Sequence, residues 1–261
     1  MAVSWTSPAA LPDEDAVQLR RIRFADLGLA LQRGWQDFLA TPTQLVFLCV
    51  IYPLVGIVAG TMAAGGDVMH LFYPMAAGFA LIGPLAALGI YEISRRRERG
   101  QQASWLNFFD VVRSPAIGAI GALGLLLVAL FLVWLWAADT IFAMTLARVP
   151  LDVPPWQALF HTHEGWQLIW MGNGVGFLFA LAVLVLTTVS FPMLLDRGGG
   201  VSRAVGTSVR AFLLNPLQML AWGLIVAVIL LLGSIPLFVG LAVALPVLGH
   251  ATWHLYRLLV H

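Results

Sequence analysis

Side chains that could do chemistry occur where three apolar stretches of this sequence end. Glu92 directly follows the apolar stretch Val68–Tyr91, and Asp196 directly follows Asn173–Leu195. His250 and His254 lie in the last stretch, Pro236–Tyr256, and Arg257 comes one helical turn after His254. Two histidines four residues apart share one face of a helix and can bind one metal ion together, and a carboxylate from a neighbouring stretch could complete the site. We expect these five residues to form one polar cluster, in which His250 and His254 are the candidate metal ligands.

The same residue types are also typical of a membrane boundary. There, arginine and histidine reach toward lipid headgroups and carboxylates pair with arginine, next to a belt of aromatic rings. Both interpretations stay open for most of the cluster. His250 differs, because it lies about 9 Å inside the last stretch if that stretch ends at Tyr256. We expect it to contact a carboxylate of a neighbouring stretch, either Glu92 or Asp196.

Signatures of soluble enzymes and of nucleic-acid-binding proteins are missing. The sequence "GNGVG" at Gly172 lacks the third glycine of a dinucleotide-binding loop, and no lysine follows "DRGGGV" at Asp196 to make a phosphate-binding loop. No serine lies in a nucleophile elbow. The net charge is only +1, and the arginines are spread over short loops, so a nucleic-acid partner is not expected. We therefore expect no enzymatic activity, no catalytic residues and no cofactor.

Composition predicts a membrane protein. The 261 residues are 60% apolar and 10% charged, with a mean hydropathy of +0.89, whereas soluble domains are about half apolar and about a quarter charged. A helix needs about 20 apolar residues to cross a bilayer. Six stretches meet this requirement or come close: Gln44–Ala64, Val68–Tyr91, Ala116–Ala138, Asn173–Leu195, Pro216–Leu232 and Pro236–Tyr256. Only "GSI" joins the last two, so either a tight hairpin of full spans or a re-entrant pair of half-helices is possible there.

The stretches form a threefold repeat. Each pair follows an amphipathic segment that ends in proline: "DLGLALQRGWQDFLATP", "SWLNFFDVVRSP" and "VSRAVGTSVRAFLLNP". In the first segment, Leu27, Leu31, Trp35 and Phe38 have helical spacing and Asp37 lies away from them; the third carries a stripe of Val201, Val205, Val209 and Leu213. Each returning helix carries a proline that should kink it. The predicted fold is all-α, a polytopic bundle of six transmembrane helices in three hairpins, each preceded by a cytoplasmic interfacial helix.

The distribution of arginine predicts the orientation. With six spans, thirteen of the fourteen arginines lie on one side of the membrane and Arg148 lies on the other. Basic residues in short loops are retained in the cytoplasm, so both termini are expected there. The amino terminus has acidic residues before its first arginines and no apolar core, unlike a signal peptide. We expect a flexible cytoplasmic tail over residues 1–25 and a single membrane domain over residues 26–261.

Several segments closely resemble a bacterial integral membrane family catalogued as domain of unknown function 2189. They include "FYPMAAGFALIGPLAALGIYEISRRRERG", "EGWQLIWMGNGVGFLFA", "SFPMLLDR" and "LPVLGHATWHLYR", and the similarity runs from about Asp26 to the carboxyl end. The resemblance implies a multi-pass protein of the bacterial inner membrane. Some members carry a cytochrome c oxidase subunit label, but this chain lacks the mid-membrane histidines that bind haem and copper in a catalytic subunit.

The expected function is that of a non-catalytic accessory or assembly component of a membrane complex, such as a respiratory one. Its expected partners are the lipid bilayer and other membrane protein subunits. A transporter or channel for a small solute or ion is the alternative, because repeats with helix-breaking prolines occur in such proteins. The interiors of the predicted spans lack acidic and basic residues, which argues against ion coupling.

Overall fold

The computed structural model describes residues 17–43, 83–85, 87–149, 155–235 and 239–261, and over these residues the regular structure is helical except for one β-bridge between Leu19 and Val260. The all-α class is thereby confirmed. The α-helices are α1 Phe24–Ala40, α2 Leu88–Glu98, α3 Ile117–Met144, α4 Pro155–His161, α5 His163–Thr187, α6 Ser190–Arg197, α7 Val201–Leu214, α8 Pro216–Ser234 and α9 Leu241–Leu259, and the 3₁₀ segments are Trp105–Arg113 and Leu146–Arg148.

Three described helical stretches are long and apolar enough to cross a membrane: Ile117–Arg148, His163–Arg197 and Pro216–Ser234. They contain or overlap the third, fourth and fifth predicted spans. The first predicted span and most of the second lie outside the described residues. The sixth corresponds to α9, which is not among the three, so six spans and three hairpins remain a prediction.

The fourth predicted span is interrupted between α5 and α6. In an unbroken helix the Val189 N–H would donate to the Val185 carbonyl. Instead, the hydroxyl of Ser208 on α7 accepts from the Val189 N–H at 3.2 Å and donates to the Val185 carbonyl at 2.7 Å. Pro192, which has no N–H, follows within one turn. A side chain inserted into the hydrogen-bond ladder next to a proline accounts for the break.

The inward face of α1 differs from the predicted apolar stripe. Leu27 and Phe38 are buried, but Trp35 is 46% exposed, while Asp37 is buried beside Phe38. The inward face is centred on the small residue Gly34 rather than on the large side chains. The expected separation of Asp37 from the buried side is therefore wrong, because close helix packing selects small residues and carries Asp37 inward with them.

The same choice of face occurs on α7. Its predicted stripe is half-buried at the three valines and 69% exposed at Leu213. The residues that pack inward are the small and hydroxylated ones, namely Ala204, Thr207, Ser208 and Ala211. Some large apolar side chains, such as Trp35 of α1 and Leu213 of α7, thus remain exposed on these amphipathic helices, as expected for helices at a lipid surface. Pro216 begins α8, as the sequence predicted.

Part of the segment expected to be a flexible tail, residues 1–25, is docked. Residues 17–22, called here the amino-terminal strap, run antiparallel to the end of α9, and the Arg20 N–H donates to the Leu259 carbonyl at 2.9 Å. Ile22 within the strap is buried. The described part of this segment, from residue 17, is therefore packed against the helices, and residues 1–16 lie outside the described residues.

Candidate functional site

Two close helix contacts build the polar site at one end of α9. A Cβ atom on Gly34 of α1 would lie 2.6 Å from the backbone nitrogen of Ala251, and one on Gly249 would lie 2.8 Å from Cγ2 of Ile90 on α2. Real Cβ contacts are essentially never this short, so glycine is required at both crossings. Asp37, Ser94, His250 and His254 lie within about one turn of these crossings, and Arg97 lies about two turns from Ile90 on α2.

Asp37 is the hub of the site. Its Oδ2 atom accepts hydrogen bonds from the Ser94 hydroxyl at 2.7 Å and from Nε2 of His254 at 2.9 Å. Its Oδ1 atom accepts from Nε of Arg97 at 2.8 Å. Nδ1 of His250 lies 3.9 Å from Oδ2. One carboxylate on α1 therefore joins α1 to both α2 and α9.

The direction of the Ser94 hydroxyl proton decides which ring nitrogen of His250 carries a hydrogen. Ser94 Oγ also lies 2.7 Å from Nδ1 of His250, but a hydroxyl has one proton to donate. An ionised Asp37 can only accept, so that proton goes to Asp37 and Nδ1–H of His250 donates to Ser94. Both Ser94 and His250 are fully buried, and Nε2 of His250 has no hydrogen-bond partner among the described residues.

The hydrogen bonds keep Asp37 ionised. Burial alone would raise the pKa of its carboxyl group, because it penalises the charged form. The bonds from His254, Ser94 and Arg97 outweigh burial and hold that pKa well below its ordinary value of 3.8. A carboxylate held this way is a structural acceptor and a poor proton donor or base at neutral pH.

A second group of contacts surrounds Asp196 and Glu98. Arg257 connects the two carboxylates, with Nε donating to Glu98 at 2.9 Å and Nη1 donating to Asp196 at 3.3 Å. This group ties the ends of α2, α6 and α9 together. The other donors are Tyr256 to Asp196 at 3.0 Å, Arg99 to Asp196 at 3.1 Å and Trp253 to Glu98 at 3.1 Å.

Glu92 has its own partners. It is only 3% exposed and forms ion pairs with Arg95 and Arg96 of the same helix. Arg96 also reaches Asp110 of the 3₁₀ segment at 3.0 Å.

The five predicted cluster residues are thus distributed over three sets of contacts at the same end of the molecule. His250 and His254 contact the Ser94–Asp37 group, Asp196 and Arg257 contact each other, and Glu92 lies among arginines. The expected partner of His250 was Glu92 or Asp196; its observed neighbours are Ser94 and Asp37.

Sequence reasoning missed Asp37, Ser94 and Arg97. A usable signal for Asp37 was its position one turn after Gly34, since small residues mark the side of a helix that packs closely. Ser94 and Arg97 lie one turn apart on α2, and no comparable signal in the sequence marks them. Arg97 in particular is one of several neighbouring arginines.

The arrangement limits the chemistry. No group of three or more histidine, cysteine, aspartate or glutamate residues is placed to hold a metal ion within the described parts of the chain. Ser94, His250 and Asp37 are adjacent, but the serine gives its proton to the carboxylate and not to the imidazole, which is the reverse of an activated nucleophile. The geometry is that of a buried, hydrogen-bonded link between helices.

The all-α fold, the apolar helices and the polar residues gathered at helix ends define an integral membrane protein of the helical class. Residues 72–196 match the model of the family described as "Predicted integral membrane protein (DUF2189)". This match confirms the family resemblance over that range, which covers α2 to α6 and includes Glu92 and Asp196. No curated protein and no solved structure matches the chain.

Proposed function

We propose that this chain is a non-catalytic accessory or assembly component of a membrane protein complex, such as a respiratory complex. The observation that carries the proposal is that Asp37, Glu98 and Asp196 accept hydrogen bonds from other helices of the same chain. Asp37 and Asp196 each accept hydrogen bonds from two other parts of the chain, and Glu98 accepts from α9. Groups engaged in this way fix the arrangement of helices and are not available to a substrate.

The described spans support the same view. Helix α8 contains no acidic or basic residue, α3 contains only Asp139, and Glu164 of α5 lies in its first turn. Ionisable groups inside the membrane are costly and mark the ion or proton paths of many coupled transporters, so their scarcity in these spans argues against that function.

The proposed topology is a multi-pass protein of a bacterial inner membrane with six spans and both termini in the cytoplasm. The arginine distribution supports it. The ion-paired ends of α2, α6 and α9 lie at one end of the molecule and contain Arg97, Arg99 and Arg257, as expected for one cytoplasmic surface.

A transporter or channel for a small solute or ion is the second candidate. The break between α5 and α6 favours it, because interrupted helices build substrate sites in several transporter folds. The hydroxyl groups around the break, however, already bond to carbonyls: Thr187 to Val183, Thr188 to Leu184, and Ser190 to Leu186. Because these hydroxyls and carbonyls already bond to each other, they are not free to bind a solute. The transporter is therefore the weaker candidate.

The test combines purification with deletion. A tagged chain, produced at its natural level and extracted in a mild detergent, should migrate with one larger complex in a fixed stoichiometry. Deleting the gene should reduce the assembled amount of that complex. A tagged polytopic protein of similar size serves as the control. Migration of the chain alone, together with unchanged complexes after deletion, would contradict the proposal, and solute flux in proteoliposomes would favour the transporter.

A further inference from the structure

The strap is fixed where α8 begins. The side-chain oxygen of Asn215 accepts from the Ile22 N–H at 2.8 Å, and its side-chain nitrogen donates to the Arg20 carbonyl at 3.2 Å. Asn215 is 2% exposed and directly precedes Pro216, the first residue of α8. Since α8 is a candidate membrane span, this contact holds the strap at the level where the span leaves the bilayer.

Two arginines of this region point away from the protein. Arg21 and Arg23 flank the buried Ile22 and are exposed, whereas Arg20 pairs with Asp26 at 3.5 Å. No carboxylate of the described residues forms an ion pair with Arg21 or Arg23. The described carboxylates of this end are engaged with other arginines, so within the described residues Arg21 and Arg23 are two positive charges without an ion-pair partner.

Exposed apolar side chains flank Arg23 and Asn215 in the sequence. Phe24 follows Arg23 directly and is 57% exposed. Leu213 and Leu217 lie two residues on either side of Asn215 and are 69% and 66% exposed. Guanidinium groups next to uncovered apolar side chains, at the end of a span, complement an amphiphile that has an anionic head and hydrocarbon tails.

We propose that Arg21 and Arg23 form a binding site for the headgroup of an anionic phospholipid, with its acyl chains against Phe24, Leu213 and Leu217. Arginine pairs with phosphate through two parallel N–H donors, and two adjacent arginines favour a headgroup with net negative charge over a zwitterionic one. The Asn215 contact holds the two arginines in place. The site is independent of the proposed assembly role.

The test uses the purified full chain in detergent and native mass spectrometry with added phosphatidylglycerol or phosphatidylcholine. The unmodified protein should bind phosphatidylglycerol more tightly. The double variant Arg21→Gln/Arg23→Gln should bind phosphatidylglycerol roughly tenfold more weakly and lose the preference. The matched control, Arg33→Gln/Arg197→Gln, removes two exposed arginines elsewhere at this end and should keep it.

A third variant separates position from charge. Asn215→Ala keeps every arginine but releases the strap, and it should also weaken the preference. The melting temperature of each variant without lipid shows whether it folds, and lipid counts are compared only among folded variants.

Three outcomes would overturn the proposal. Equal losses in both double variants would mean diffuse attraction to the whole surface. Equal binding of the two lipids would mean that Arg21 and Arg23 do not select an anionic headgroup. Full competition by millimolar inorganic phosphate would mean a site for a free anion and not for a lipid.

Discussion

Asp37 accepts a hydrogen bond from Nε2 of His254 at 2.9 Å, although 217 positions of the sequence separate them. The contact joins the first amphipathic helix to the last helix of the chain. It depends on Gly34, which lets α1 approach Ala251 closely, and on Ser94 and Arg97, which saturate the same carboxylate.

The helix crossing at Gly34 should be intolerant of a side chain. Gly34→Ala places a Cβ 2.6 Å from the Ala251 nitrogen, so α1 must shift, and we expect a loss of about 1–3 kcal/mol in the free energy of unfolding. Thermal unfolding in detergent measures it. The control is Gly28→Ala on the same helix, where a Cβ would meet nothing within 4 Å and better helix propensity should leave stability equal or slightly higher. Equal effects at both positions would contradict the close crossing.

Removing the charge of Asp37 should destabilise the protein, because an asparagine keeps only one acceptor oxygen and sets an N–H donor where Ser94 and His254, or Arg97, now donate. We expect Asp37→Asn to cost about 1–3 kcal/mol, below the value for a fully buried pair because Arg97 is partly exposed. Asp110→Asn, which breaks pairs nearer the surface, should cost less than about 1 kcal/mol. Chemical unfolding at neutral pH compares the two variants.

The contribution of Asp37 should also depend on pH. Its pKa is lower in the folded protein than its ordinary value of 3.8, so the stabilisation is complete above that value and is lost as pH falls toward the folded pKa. The stability difference between the unmodified protein and Asp37→Asn should therefore narrow below about pH 4. A difference that stays constant or grows on acidification would mean that the carboxylate is not held in its charged form.

The helix break at Val189 should depend on Ser208. Ser208→Ala leaves the Val189 N–H and the Val185 carbonyl without their bridging hydroxyl, and each unsatisfied buried group costs roughly 1–3 kcal/mol. The melting temperature should fall clearly. Ser202→Ala, at an exposed position of the same helix, should leave the melting temperature unchanged. A similar melting temperature for both variants would show that the Val189 N–H and the Val185 carbonyl find hydrogen-bond partners without the Ser208 hydroxyl.

We expect the role of His250 to be structural and not catalytic or metal-binding. His250→Ala removes the donor to Ser94 inside a fully buried site and should lower the melting temperature, whereas the exposed His261→Ala should not. Metal content is measured in the same preparations. Stoichiometric zinc, copper or iron that disappears in His250→Ala would instead establish a metal site with His254.

The threading of the chain is tested by labelling introduced cysteines. The single native cysteine, Cys49, is first replaced by alanine. Gln101→Cys and Gln157→Cys are both at exposed positions, and the proposed topology places the first in the cytoplasm and the second outside. An impermeant reagent should label only the second in intact cells, and both after lysis. Labelling of Gln101→Cys in intact cells would contradict the proposed orientation.

Sequence patterns recovered those features that depend on local properties. Apolar length predicted the helical stretches that contain or overlap three expected spans, and Pro216 marked the start of α8. The ends of the returning helices were expected at one level, and Arg257 with Asp196 does join two of them. The partner of His250 was not recovered, because the sequence shows which residues are polar at that depth but not which helix lies opposite.

Composition and periodicity by themselves determined that this is an all-α membrane protein, and they predict that its arginines lie on one side of the membrane. The partition of apolar and charged residues between the bilayer and water depends on each residue's own chemistry. It can therefore be predicted from the sequence without knowledge of tertiary contacts. Only the tertiary structure decided that Asp37 lies inside, that Ser208 enters the ladder of α5 and α6, and that the strap docks on Asn215. Each of these depends on close approach between distant segments, where small residues such as Gly34 determine which helix faces meet and polar groups must then find partners, since an unpaired polar group is costly once buried.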